Sequence, residues 1–319
     1  MDALTDILRA MRLSGGVFLD AEFTAPWCIT SQVAPEDCRP FMSVPTQLIA
    51  YHYVVEGALS IQVGEEQAQR VGPGQLLLLP RNDEHLLGSE AGLTPADANA
   101  LIERGGGDGV ARIRFGGGGA RTSILCGFLG TNDGSDPLLL SLPVVVKLNL
   151  RGKSTGSWIE GSIKHAMHEL ANAGPEAASS LARMAELLFA EAVREYVKGL
   201  PQDQKGWLAG LRDPMVGKAL AVMQNRLNQR LTLEEIARAI GASRSVLTDR
   251  FARSVGMPPM QYLRRRRLAR AADRLTHGQR SVGEIGFEAG YESEAAFSRV
   301  FKREFGSSPT AFRDATRTR

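Results

Sequence analysis

Two groups of side chains in this chain carry enough chemistry to constrain its function. The first is His52, Glu56 and His85. His52 and Glu56 stand four residues apart in a stretch of extended character, which puts them on one face of a strand. His85, brought alongside, would make two imidazoles and a carboxylate, a donor set able to hold a metal ion or to fix a small polar molecule. The competing reading is ordinary: both histidines are hydrogen-bonded parts of a folded interior. The second group lies near the C-terminus. Ser245, Thr248 and Asp249 stand opposite the apolar stripe Leu247, Phe251 and Val255, and Ala295, Arg299 and Lys302 stand opposite Phe297, Val300, Phe301 and Phe305. A guanidinium or ammonium held out from a rigid helix suits a guanine edge or a phosphate.

The remaining reactive side chains point nowhere in particular. Cys28, Cys38 and Cys126 are odd in number and far apart, which fits a reducing compartment better than a disulfide framework. Cys126 lies in an apolar run and reads as packing, while a redox role for Cys28 and Cys38 would need a local positive field that the sequence does not display. His165, His168 and His277 are expected in solvated or helix-end positions.

The elements that position the C-terminal group come from an internal repeat. One copy begins at Thr232 (TLEEIARAIGASRSVLTDRFARSVGMPPMQYL) and the other at Ser281 (SVGEIGFEAGYESEAAFSRVFKREFGSSPTAFR). Ile236 corresponds to Ile285 and Gly241 to Gly290; after one inserted residue, Leu247 corresponds to Phe297, Phe251 to Phe301, Gly256 to Gly306 and Pro259 to Pro309. Each copy reads as helix, tight turn, helix. Thr232 with Glu235 and Ser281 with Glu284 form capping boxes, Gly241 and Gly290 supply the left-handed turn residue, and Ser243 and Ser293 cap the second helices. This is the helix-turn-helix arrangement, whose second helix enters the major groove. Between the copies, YLRRRRLARAADRL predicts a helix with six arginines that holds the units at a fixed separation.

The front of the chain reads differently. Residues 47–90 alternate short β-branched and aromatic runs with glycine-containing turns, and further strands are expected at 110–115, 121–129 and 144–149. Helical spacing follows, with Trp158, Ile159, Ile163, Ala166, Met167 and Leu170 on one segment, and Leu181, Met184, Leu188, Ala192 and Val193 on a second from about 175 to 198. Such a hairpin suits barrel packing or a dimer surface. The expected fold is therefore multidomain: a mainly-β barrel with a helical hairpin, then an all-α double helix-turn-helix.

Residues 212–316 resemble the DNA-binding domain of the AraC/XylS regulators, on IARAIGASRSVLTDRF, GMPPMQYLRRRRL and IGFEAGYESEAAFSRVFKREFGSSPTAFR. One departure is Gly286, where alanine is usual; some loosening of that helix is expected. The resemblance implies that Arg244, Ser245, Thr248 and Asp249 meet bases or phosphates from the first recognition helix. Glu294, Ala295, Ser298 and Arg299 would do so from the second, with Lys302 beside them. Asp249 stands where a larger basic or amide side chain is common; it could accept from a cytosine amine or merely repel phosphate. The front resembles a cupin-type sensing domain on YHYVVEGALSIQV and GPGQLLLLPRNDEHLL, with His85 in the second cupin motif. The paired histidines of metal-holding cupins are incomplete: His52 stands between Ala50 and Val54.

Charge follows this division. Residues 211–319 hold 21 Lys and Arg against 11 Asp and Glu, and the preceding part holds 17 against 24, a contrast hidden in the net charge of +3. A basic module attracts duplex DNA and an acidic one does not. The 319 residues suggest about two domains. The absence of a long apolar run or a signal-peptide pattern leads to an expected cytoplasmic location without a membrane partner.

The expected boundaries are 1–156 for an effector-sensing barrel, 157–206 for a hairpin and linker, and 207–319 for DNA binding. The expected partners are double-stranded DNA, a small-molecule effector in a pocket containing His52, Glu56 and His85, a second copy of the chain, and RNA polymerase if the protein activates. No catalytic residue, metal or cofactor is expected. A cupin enzyme with a DNA-binding tail would need the missing ligands, and a purely architectural DNA-binding protein would not need so large a front domain.

Overall fold

The computed structural model describes residues 3–11, 13–34, 38, 44–103, 111–131, 136–151, 161, 176–278 and 280–317. They divide into a β-rich unit, Leu13–Thr131 with Leu142–Tyr196, and a helical unit, Val197–Arg319 with Met1–Arg12 and Asn132–Ser141.

The β-rich unit is built from two sheets. Strands β1 (Ser14–Thr24), β3 (Gln47–Glu56), β6 (Gln75–Leu79), β9 (Ala111–Gly116), β10 (Arg121–Thr131) and β11 (Val146–Asn149) form one, in the order β11-β6-β3-β10-β1-β9. Strands β2 (Cys28–Ser31), β4 (Leu59–Val63), β5 (Gln69–Val71), β7 (His85–Gly88) and β8 (Ala96–Asp97) form the other, in the order β5-β4-β7-β2-β8. The pairings are antiparallel except for β1 with β9 and β2 with β8.

The residue pattern explains the layers. In β4, Leu59, Ile61 and Val63 are buried while Ser60 and Gln62 are only half-buried, the alternation of a strand covered on one face. In β6, Leu76 to Leu79 are all buried, as both faces are covered. The two sheets share an apolar core that includes Phe23, Ala50, Val54, Ile61, Leu77 and Ile124. Phe23 and Trp27 stack within it, ring centroids 4.1 Å apart. Strands β1 and β2 carry weaker signals than 47–90 and were not singled out in the sequence, although they lie inside the span assigned to β structure.

The helical unit contains α1 (Ala3–Met11), α2 (Pro137–Ser141), α4 (Trp207–Gly210), α5 (Pro214–Asn225), α6 (Leu233–Ile240), α7 (Arg244–Val255), α8 (Pro259–His277), α9 (Val282–Glu288), α10 (Glu294–Phe305) and α11 (Pro309–Arg317). Helix α3 (Glu176–Gly199) precedes α4 and buries Leu188, Ala192 and Val193. The first half of the expected hairpin, with His165 and His168, lies outside the described residues, as do the side chains of Leu181, Met184 and His277.

Two segments from the front of the chain pack with the helical unit. Residues 1–12 and 132–141, assigned by sequence to the barrel, group with the helical unit. The reason is apolar burial: Leu4, Ile7 and Met11 form one stripe of α1, fully covered, and α1 packs on α5. Helix α2 packs on α4, and buried Asp136 accepts from the Leu138 amide at 2.8 Å and from Gln224 at 3.0 Å.

Candidate functional site

Both copies of the repeat fold as helix, turn, helix, and their caps are the ones the residue types dictate. Thr232 and Glu235 form a reciprocal capping box at the start of α6, and Ser281 and Glu284 do the same for α9. The capping hydrogen bonds hold the carboxyls of Glu235 and Glu284 below the usual carboxylate range. Gly241 (φ 71°) and Gly290 (φ 87°) take the left-handed conformation that turns the chain toward the second helix. Ser243 Oγ accepts from the Val246 amide and Ser293 Oγ from the Ala296 amide, starting α7 and α10.

Packing then fixes which face of each second helix points outward. In α7, Leu247, Phe251 and Val255 are buried, and Phe251 meets Tyr262, whose hydroxyl accepts from Trp207 Nε1 at 2.7 Å. Arg250 donates to Asp213 at 2.8 Å, locking α7 to the N-terminal cap of α5. In α10, Phe297 and Phe301 are fully buried, and Phe301 contacts Phe305 and Phe312. Gly286 has a reason beyond helix propensity: a Cβ there would lie 3.0 Å from the Phe297 side chain, so glycine lets α9 approach α10 closely. The expected loosening is replaced by a tight seat.

The sequence-derived residues fall on the opposite faces. Arg244, Ser245 and Asp249 are exposed and Thr248 is half-buried; Glu294, Ala295, Arg299 and Lys302 are exposed and Ser298 is half-buried. Ser245 Oγ lies 3.2 Å from Ser243 Oγ. Asp249 is occupied by Arg253, one turn on, at 2.6 Å, so this carboxylate is neutralised within its own helix. Each outward face is held by an aromatic or aliphatic clamp on the buried side, the form a major-groove reader takes.

The other group divides. His52, from β3, and His85, from β7, meet between the two sheets with their Nε2 atoms 2.8 Å apart. Their protons can be assigned from the partners. His85 Nδ1 lies 2.9 Å from the Asp83 carbonyl, which can only accept, so Nδ1 carries the proton and Nε2 accepts. His52 therefore donates from Nε2, and its Nδ1 accepts from the Cys126 thiol at 2.9 Å. Burial lowers the pKa of both histidines, more strongly for His52, and pushes the Cys126 thiol up, so the chain Cys126–His52–His85–Asp83 is neutral throughout.

Glu56 does not join it: it is exposed at the end of β3 and pairs with Arg121 at 3.5 Å. Among the described residues no group of three or more His, Cys, Asp or Glu is arranged to hold a metal. Sequence reading treated Cys126 as inert packing; its bond to His52 follows from the register pairing Cys126 with His52 across β10 and β3, which no local pattern reveals. Cys28 and Cys38 are buried and form no disulfide.

The architecture is that of a transcription regulator: a β-rich domain followed by a duplicated helix-turn-helix. Residues 2–198 match the Cupin family and residues 236–315 the family described as helix-turn-helix domain. A putative AraC-like transcription regulator of Streptomyces antibioticus is 29% identical over 98% of both chains. The HTH-type transcriptional regulator AlkR of Acinetobacter baylyi is 27% identical over 98% of this chain and 99% of its own. The solved DNA-binding domain of AdpA, in complex with a target DNA, is 29% identical, covers 33% of this chain and 95% of its own, and has a TM-score of 0.31. The chain belongs to the cupin family through its front part and, with its helix-turn-helix domain, to the AraC-type regulators. Among the described residues no helix is long and apolar enough to cross a membrane.

Proposed function

We propose that this protein is a sequence-specific transcription regulator that reads DNA with α7 and α10, acts as a homodimer in the cytoplasm, and is controlled by a small molecule bound in its cupin domain. If it activates, RNA polymerase is a further partner. The observation that carries the reading is the pair of clamped helices with outward faces Arg244, Ser245, Thr248, Asp249 and Glu294, Ala295, Ser298, Arg299, Lys302.

The cupin domain acts as a receptor rather than a catalyst. Supporting this, His52 and His85 spend their ring nitrogens on each other, on Cys126 and on a carbonyl, and Glu56 stands apart in an ion pair. A transition metal with open positions would need several converging, uncommitted donors. His52 and His85 are instead the polar groups a ligand could reorder on entering the sheet interior.

Selection of duplexes from a randomised library by the full chain tests the DNA reading, and enrichment of one motif is expected. A thermal-shift screen of the same protein against metabolites tests the receptor reading; a compound that raises Tm should also change affinity for the selected duplex. Enrichment of nothing, or a stabilising compound with no effect on DNA affinity, would sink the respective half. One tightly held transition metal per chain, lost in His85→Ala, would reopen catalysis.

A further inference from the structure

The two helix-turn-helix units meet mainly through the connector α8; among the described residues no helix of α6 and α7 packs broadly on α9, α10 or α11. Helix α8 is built into the second unit through Leu268, Ala271, Ala272 and Leu275, which share a core with Ile285, Phe297 and Phe301. A cleft remains beside it, lined by Leu227, Asn228, Arg270, Ile285 and Ala289, with Arg267 at its wall.

Arg267 spans the gap. Its Nε donates to the Leu227 carbonyl at 3.0 Å and its Nη2 to the Gln229 carbonyl, both on the loop that leads into α6. Its Nη1 lies against the turn of the second unit, 3.2 Å from where a Cβ would stand on Gly290. Only a residue with no side chain leaves that space, and at φ 87° glycine is also the residue the turn requires. The half-buried guanidinium is drawn down in pKa by desolvation, consistent with donors turned to protein carbonyls rather than to solvent. A second cross-tie, Arg230 to Glu292 at 3.2 Å, has both side chains more than three-quarters exposed and contributes little by itself.

We propose that Arg267 is the positioning residue that sets the separation and angle of the two recognition helices, and thereby the spacing of DNA sub-sites the protein accepts. Two helices entering one face of DNA must match grooves about 34 Å apart. A planar fork fixed to two carbonyls on one unit and wedged against the turn of the other resists the displacement that a one-base-pair error demands. Lysine keeps the charge but lacks the fork.

This rests on α7 and α10 being the recognition helices, and the test separates the two ideas. The full chain, Arg267→Lys and Arg267→Ala are titrated against the duplex selected by the wild type. The same titrations use versions with one base pair added or removed between the sub-sites, versions with one sub-site scrambled, and a random duplex. The wild type should lose about tenfold or more on altered spacing. Arg267→Lys should bind the selected duplex about tenfold more weakly, match the wild type on scrambled and random duplexes, and show a spacing penalty reduced to about two- to threefold.

An Arg267→Lys protein with wild-type affinity and wild-type spacing penalty would overturn the proposal. So would an Arg267→Ala protein that loses equally on every duplex with a salt slope reduced by about one, the mark of a phosphate contact. If Arg267→Ala does not fold, Arg267→Lys, which retains stem and charge, decides alone. A wild type that selects no duplex would remove the underlying reading with it.

Discussion

Arg299 and Lys302 lie three apart on the exposed face of α10, and neither side chain is engaged by an ion pair or hydrogen bond among the described residues. They should nevertheless behave differently. Arg299, nearer the N-terminal end of the helix, is placed to enter the groove, where a guanidinium reads guanine O6 and N7 in a fork. Arg299→Ala should cost about 1–3 kcal/mol on the selected duplex and relax preference at one position, with little loss on random DNA. Lys302→Ala should weaken both alike; equal losses for Arg299→Ala would reduce it to a phosphate contact. The buried histidines carry a pH prediction. Their pKa values are depressed in the folded state, so below about 6.5 the unfolded chain binds protons that the folded one does not. Stability they support is present above about 6.5 and falls as the pH drops below it. Urea unfolding of His52→Gln should show a weaker loss between pH 7 and 5 than the wild type, and an unchanged slope would refute the neutral chain. The contrast between the two sites explains what the sequence revealed. Arg299 was legible because helical period is local and places it opposite Phe297 and Phe301. Cys126 was not, because its partner is set by strand register over 74 residues.

At the scale of elements, caps and cores contribute unequally. Thr232→Ala removes one side-chain acceptor at the exposed start of α6, and should cost about 1 kcal/mol. Phe301→Ala empties a fully buried position surrounded by Phe297, Phe305 and Phe312, and should cost about 3–5 kcal/mol. Calorimetry of the full chain distinguishes them, and similar losses would mean that the aromatic clamp does not hold α10. These elements were readable because capping residues, turn glycines and apolar stripes all agree within about thirty residues. Strands β3, β4 and β6 were readable for the same reason. Helix α1 has an apolar stripe in its own residues, but its partner α5 lies some two hundred positions away, so its place in the helical unit is not legible locally. Likewise Arg267 appears in the sequence as one of four consecutive arginines; only the three-dimensional placement of Leu227, Gln229 and Gly290 singles it out.

For the whole molecule, the uneven charge makes a prediction about affinity. The 21 Lys and Arg against 11 Asp and Glu in residues 211–319 include Arg244, Arg299 and Lys302 on the outward faces. Several other arginines are committed within the protein: Arg250 to Asp213, Arg253 to Asp249 and Arg274 to Glu288. The cations left for phosphates are therefore fewer than the composition suggests, and the salt dependence of binding measures how many there are. Each phosphate neutralised by a cation should contribute roughly −0.9 to the slope of log K against log salt. A slope of about −3 to −6 is expected for the full chain on the selected duplex, with most of it retained on random DNA, since backbone contacts are blind to sequence. The measurement belongs on the whole protein, because a fragment beginning at residue 207 would lack α1 and uncover the apolar side of α5. Arg299→Ala should leave the slope nearly intact while lowering the specific affinity, separating base reading from charge. A flat response on both duplexes would show that the basic half is an ordinary solvated surface, and that the outward faces of α7 and α10 do not lie against a nucleic-acid backbone.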